Sequence, residues 1–321
     1  MYSATFVQAY NSIKRAAIQS MWQQLTQQLL QGNIKALARA ISLVENSVEG
    51  YEDMLAQLPP LNAGIIGITG APGAGKSTLV DALAGEYVQA GKKVAILCVD
   101  PSSPFTMGAV LGDRVRMSEW YNHPQVYIRS LATRGSLGGL SPAIIEITDV
   151  LKAAAFDVII VETVGVGQSE VEIASLADTT VVVMVPEGGD EVQTMKAGLM
   201  EIADIFVVNK ADRPGADTFI KNLHLMLAPA FKNRQAEVPI LKTTALQKEG
   251  VHTLFEKINA HAAAVSSSPQ KIHLLAERAY RLIQKKRMQG ITKAGLLAAI
   301  QQQAGENFNL YKFAAGFGSI Q

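Results

Sequence analysis

GIIGITGAPGAGKS, residues 64–77, decides the fold. Its first half is an apolar run of strand length. Its second half matches G-x-x-x-x-G-K-[ST], the loop that wraps phosphate where a strand gives way to a helix. An amphipathic stretch follows, so motif and context agree. Gly70, Gly73 and Gly75 let the backbone turn its N–H groups onto phosphate oxygens, and a helix N-terminus adds partial positive charge. Lys76 is placed to reach the β- and γ-phosphates, and Ser77 to give its hydroxyl to Mg²⁺. A glycine-rich turn without ligand is the plainer alternative, but the strand, Lys76 and Ser77 together argue against it. The candidate nucleotide-binding set here is Gly70, Ala71, Pro72, Gly73, Ala74, Gly75, Lys76, Ser77 and Thr78.

Outward from this loop, short apolar runs alternate with amphipathic stretches. Seven candidate strands read GIIGIT, KVAILCVD, QVYIRS, FDVIIVET, TTVVVMV, DIFVVNK and PILKTT. Most are apolar throughout, as expected of parallel strands covered on both faces. The expected fold class is α/β, a P-loop NTPase with a mostly parallel doubly wound sheet, flanked by N- and C-terminal helical extensions. Ligands should then bind at the carboxyl ends of the strands. Residues 6–57 have helical spacing, clearest in IKALARAISLVEN, and Pro59-Pro60 closes them. VSSSPQ, 265–270, ends the central domain. The expected domains are therefore 1–60, an N-terminal helical extension; 61–264, the nucleotide-binding domain; and 265–321, a C-terminal helical arm too small to hold a core alone.

VETVGVGQ, residues 161–168, places a carboxylate, Glu162, at the tip of a buried strand. Such a group costs free energy unless a cation or hydrogen-bond donors meet it. Beside the P-loop strand it would face Mg²⁺, which takes oxygen ligands and keeps several waters. Gly165 could then offer its N–H to a γ-phosphate. Asp100, in VDPSS, and Asp113, in GDRVRM, are further candidates for the metal shell with Ser77 and Glu162. GGDEVQTMK, 188–196, carries Asp190, Gln193 and Lys196 three apart, on one face near a helix start. A solvated helix face is the competing reading.

NKAD, 209–212, follows another strand. Asp212 can accept from N1–H and the exocyclic amine of guanine, a donor pair that adenine lacks. Two charge-assisted hydrogen bonds of about 1.5–3 kcal/mol each imply on the order of 10² to 10⁴ in favour of GTP. Asn209 would tie the base and neighbouring loops together, and the Lys210 stem would cover the ring. TTAL, 243–246, brings Thr244 and Ala245 to the guanine carbonyl.

Composition excludes other classes. Formal net charge is +1, with 18% charged residues, so no global field draws the chain to nucleic acid or anionic lipid. No apolar stretch is long enough to span a membrane. The N-terminus lacks a signal-peptide pattern, and the expected location is the cytoplasm. A single cysteine, Cys98, allows no intrachain disulfide, and the five histidines form no zinc-like cluster.

Together, ALARAISLVEN, VDPSSPFTMGAVLGDRVRM, TRGSLGGLS, DVIIVETVGVGQSEVEIASLADT, PEGGDEVQTMKAG and NKAD resemble the methylmalonyl-CoA mutase-associated GTPases, the MeaB/ArgK-type family. The resemblance runs from about residue 35 to 215. It implies a homodimeric GTPase that binds an adenosylcobalamin-dependent acyl-CoA mutase, gates its cofactor loading and protects it from inactivation. It also implies that Asp100, Asp113 and Glu162 serve Mg²⁺, that Asp190, Gln193 and Lys196 couple partner to hydrolysis, and that the C-terminal arm dimerises. Lys76, Glu162, Asp190, Gln193 and Lys196 are thus the candidate catalytic residues. Val166, not Gln, follows Gly165, and Gln168 comes later, so slow intrinsic hydrolysis is expected. Two alternatives remain open: a P-loop kinase or transport-associated ATPase, and a GTP-dependent metallochaperone for another enzyme.

Overall fold

The computed structural model describes residues 4–60, 63–100, 114–133, 140–165, 172–186, 201–230, 238–265, 269–303 and 308–317. The chain divides into two units, residues 1–274 and 275–321.

In the first unit seven parallel strands form one sheet in the order β3-β2-β4-β1-β5-β6-β7. They are β1 (Gly64–Gly70), β2 (Val94–Asp100), β3 (Val126–Ala132), β4 (Val158–Glu162), β5 (Thr179–Met184), β6 (Ile205–Val208) and β7 (Ile240–Lys242). Each coincides with one of the apolar runs singled out in the sequence. β1 lies centrally, paired with β4 (Ile68 opposite Glu162) and with β5 (Ile68 opposite Val181). Its carboxyl end is therefore a switch point, where ligands bind in open α/β sheets.

Because side chains alternate along a strand, each strand feeds two cores. Ile65, Leu97, Ile159 and Val161 pack on one face with α1 (Ala4–Leu30), α2 (Ile34–Glu45), α3 (Tyr51–Ala56) and α5 (Ile144–Ala153). Ile66, Ile68, Ile96, Cys98 and Ile160 pack on the other with α4 (Lys76–Gln89) and a helix, α7, at Val251–Val265. α6 (Ala216–Ala230) covers β5 and β6 through Phe219, Leu223 and Leu227, against Val182, Phe206 and Val208. Each such aliphatic or aromatic side chain contributes roughly 1.5–3 kcal/mol on burial. The same alternation puts Glu162 on the face of Ile160, and Asp100 on the face of Ile96 and Cys98. Both carboxylates thus stand on the side where α4 begins.

At the opposite end of the sheet, three aspartates fix strand starts. Asp157 accepts from Lys93 N–H, Asp178 from Ile65 N–H and Asp204 from Thr180 N–H, each at 2.8 Å. Every one precedes a strand and reaches a neighbouring strand, so the register of β1, β2 and β5 is set from below the site.

The N-terminal helices share the sheet's core. Asn33 caps α2 by accepting from Ala36 N–H at 3.0 Å, a contact contributing about 1 kcal/mol. Among the described side chains of α1, the buried apolar ones, Trp22, Leu25 and Leu29, lie in its C-terminal half. From β3, Arg129 Nη2 reaches both Ser42 Oγ and Glu45 Oε2 of α2, each at 3.1 Å.

In the second unit, residues 275–287 complete α8 (Pro269–Arg287), followed by α9 (Lys293–Gln303) and α10 (Leu310–Phe317). Among its described residues none is buried. Leu275, Tyr280, Ile283, Leu297, Leu310 and Tyr311 are all exposed.

The Arg129–Glu45 pair generates a stability prediction. Its side chains are 26% and 10% exposed, so the carboxylate is mostly shielded from water. Arg129→Met should cost about 2 kcal/mol in urea unfolding, and adding Glu45→Gln should recover part of that loss.

Candidate functional site

The loop after β1 is built by backbone freedom and closed by a helix start. Gly75 caps α4 in the left-handed region, φ +87°. A Cβ there would lie 2.4 Å from Asn209 Nδ2, so both conformation and crowding require glycine. Lys76 and Ser77 open the helix and are buried. Lys76 Nζ donates to the carbonyls of Gly70 and Ala71, each at 3.0 Å.

On the β4 side, Ser77 Oγ donates to Glu162 Oε1 at 2.7 Å, with both groups buried. This is the meeting expected from the strand alternation. Gly165 has φ +86°, and a Cβ on it would come within 2.5 Å of Gly70 O and of Lys76 Nζ. The chain after β4 is thus pressed onto the P-loop with no room for one methyl group. Asp100 is buried at the end of β2, on the same strand face as Cys98 and two residues beyond it. β2 runs alongside β4 with Cys98 opposite Glu162. The groups available on this face are all oxygen: the Ser77 hydroxyl and the Glu162 carboxylate in contact, with the Asp100 carboxylate on the neighbouring strand end. That chemistry fits Mg²⁺, which is usually held by one or two carboxylates plus substrate phosphates. Among the described residues no three His, Cys, Asp or Glu side chains form a metal-holding group by themselves.

On the β6 side, one carboxamide joins three loops. Asn209 Nδ2 donates to Ala74 O at 2.9 Å. Its Oδ1 accepts from Thr243 Oγ1 at 3.0 Å and from Ala245 N–H at 3.1 Å. Lys210, itself left-handed at φ +55°, donates through Nζ to Gly73 O at 2.8 Å. Beyond them lies a recess of about 300 Å³ lined by Ala211, Asp212, Lys242, Thr243, Thr244, Glu249 and Gly250. Its outer wall is a tight loop in which Thr244 and Glu249 form an antiparallel bridge.

A further tie joins the segment before β3 to α4. Trp120 Nε1 donates to Asp81 Oδ1 of α4 at 2.7 Å. Burial holds the Asp81 carboxyl above its ordinary range, and the indole hydrogen bond opposes that shift.

The structure therefore gathers Gly70 to Thr78, Glu162, Gly165, Asp100, Asn209, Lys210, Asp212, Thr244 and Ala245 around the carboxyl end of β1. Asp113, Asp190, Gln193 and Lys196 lie outside the described residues. Sequence reading missed Thr243, whose hydroxyl orients Asn209. It also missed Thr69 and Thr163, joined by a hydrogen bond of 3.0 Å between strand ends. Threonine in a β-rich run reads as an ordinary strand former, which hid all three.

Sheet order and phosphate loop together define a P-loop NTPase fold. A family model described as Methylmalonyl Co-A mutase-associated GTPase MeaB matches residues 37–300, and the chain belongs to that family. A GTPase candidate of Pyrococcus abyssi is 50% identical over 246 residues, 75% of this chain and 76% of that protein. The fused isobutyryl-CoA mutase of Geobacillus kaustophilus is 38% identical over 246 residues, 71% of this chain and 23% of that much longer protein. Among solved structures, a LAO/AO transport system kinase is similar at TM-score 0.63 and 27% identity, covering 90% of this chain and 94% of that one.

Removing the Asn209 carboxamide strips a partner from Ala74 O, Thr243 Oγ1 and Ala245 N–H at once. Asn209→Ala should therefore destabilise the ligand-free protein by about 2–4 kcal/mol, measured by urea denaturation.

Proposed function

We propose that this protein binds GTP with Mg²⁺, hydrolyses it to GDP and phosphate, and uses that cycle to chaperone an adenosylcobalamin-dependent acyl-CoA mutase. The observation that carries the nucleotide half is the Ser77–Glu162 hydrogen bond beside Gly165. It brings the metal-side hydroxyl, a buried carboxylate and a side-chain-free amide to one corner of the P-loop.

In this reading the P-loop amides and Lys76 hold the β- and γ-phosphates, as such loops do. Ser77, Glu162 and Asp100 would hold Mg²⁺, with Asp113 as a further ligand; the ion supplies charge neutralisation over the phosphate oxygens. Gly165 N–H meets the γ-phosphate, so its occupancy bears on the chain that follows. Asp212 reads the guanine edge, while Asn209, Lys210, Thr244 and Ala245 shape the recess. Water attacks the γ-phosphorus as the bond to the β–γ bridging oxygen breaks. Val166 stands where small GTPases carry a water-orienting Gln, so intrinsic turnover is slow. Asp190, Gln193 and Lys196 complete the site when the partner is engaged. One well-placed cation contributes about 10³ to 10⁵-fold to phosphoryl transfer.

The mutase half rests on the fused isobutyryl-CoA mutase, in which a stretch like this chain is part of a mutase polypeptide. A homodimer is included because the C-terminal unit buries none of its own described apolar side chains. No described helix is long and apolar enough to cross a membrane, which suits a cytoplasmic role. The kinase description of the similar solved structure supplies a second reading, with ATP as phosphate donor.

Calorimetric titration separates the two readings. GDP and a non-hydrolysable GTP analogue should bind with Mg²⁺ far more tightly than ATP, and Asp212→Asn should erase about 10² or more of that preference. Equal affinity for adenine nucleotides would favour the kinase. For turnover, single-turnover hydrolysis should be slow alone and accelerate with the mutase, and Lys196→Ala should abolish the acceleration. Fast hydrolysis without partner, unchanged in Lys196→Ala, would contradict the coupling. Pull-down with GDP and with the analogue should retain a mutase to different extents.

A further inference from the structure

β1 and β4 part company at their carboxyl ends, and that is where two buried threonines meet. The last rung of the ladder is Thr163 N–H to Ile68 O, at 3.0 Å. Past it, Thr163 Oγ1 donates to Thr69 Oγ1 at 3.0 Å. Thr69 is fully buried and Thr163 is 2% exposed. Valine has nearly the same shape and would fill both positions without the cost of burying hydroxyls. The two hydroxyls are instead turned on each other, which fixes a distance that packing alone would leave free.

That distance matters because of what flanks it. Thr69 precedes Gly70, whose carbonyl accepts from Lys76 Nζ at 3.0 Å. Thr163 follows Glu162, which accepts from Ser77 Oγ at 2.7 Å, and comes two residues before Gly165. The fit at Gly165 has no slack: a single added carbon would stand 2.5 Å from both Gly70 O and Lys76 Nζ.

From this we propose that the Thr69–Thr163 hydrogen bond is a positioning strut for the proposed GTPase site. It sets the span between the P-loop and the Glu162–Gly165 arm, and so the site's response to the third phosphate. The inference rests on the reading of this site as one for GTP. Neither threonine touches nucleotide in this account; both act through Gly70, Glu162 and Gly165. GDP is held by the P-loop and the base recess, which Asn209 and Lys210 tie together at Ala74 and Gly73 independently of the strut. The γ-phosphate and the metal shell lie between the two strand ends, and misplacement near 1 Å can cost about 10²-fold in rate.

The test uses the full chain, with Thr163→Val removing the hydroxyl at nearly constant shape. The GDP dissociation constant should change by less than about twofold, whereas affinity for a non-hydrolysable GTP analogue with Mg²⁺ should fall by about tenfold, the effect of one lost hydrogen bond. Single-turnover hydrolysis should fall further. Thr163→Ser should restore both, and Thr69→Val with Thr163→Val should be no worse than either alone, since each removes the same contact. Should Thr163→Val fail to fold, Thr69→Val carries the same expectation from the other strand. Equal weakening of GDP and analogue, or no change in either, overturns the strut while leaving the GTP reading intact. A wild-type chain that binds neither guanine nucleotide overturns both.

Discussion

The mouth of this sheet depends on one side chain, the carboxamide of Asn209. Its two ends face different loops: the nitrogen holds the phosphate loop at Ala74, and the oxygen holds the recess loop at Thr243 and Ala245. No glycine-rich loop keeps a phosphate-wrapping shape by itself, since glycine raises the entropy lost on ordering. Asn209, directly after the buried strand β6, provides the external fixation. Lys210 adds a second tether at Gly73, at the cost of a left-handed backbone in a residue with a Cβ. The phosphate loop and the recess loop are thus joined through hydrogen bonds to two consecutive residues.

The Ser77–Glu162 side is organised differently. There the elements are strand ends, and their relation is set by register. Ile68 opposite Glu162, and Cys98 opposite Glu162, place the carboxylates of β2 and β4 on the face where α4 starts. Register in turn is anchored at the far end of the sheet by Asp157, Asp178 and Asp204. A chain of ordinary contacts therefore runs from strand starts to the phosphate corner.

Much of this was legible in the residues. All seven strands appear as apolar runs because parallel strands buried on both faces need no polar alternation. A carboxylate at the tip of a buried strand signalled that Glu162 needs a partner; Mg²⁺ was the partner expected, and in the structure Ser77 Oγ donates to it. The bridging role of Asn209 was readable from NKAD. What was not readable depends on long separations. Arg129 looks like one polar residue in a strand, and nothing local says that Glu45 and Ser42 of α2 await it. Thr69, Thr163 and Thr243 are concealed because β-propensity gives them a sufficient reason to be there. Their hydroxyl directions exist only once the strands are side by side.

Gly67, in the middle of β1, gives the architecture one further property. With no side chain there, Ile173 seats directly on the strand backbone; a Cβ would come within 2.4 Å of its Cγ1. The polypeptide thus leaves β1 at Thr163 and is back against the same strand ten residues later. Both footings stand on one beam, the most deeply flanked strand of the sheet. The two contact points that flank this stretch, Thr163 and Ile173, therefore share a single strand as their support.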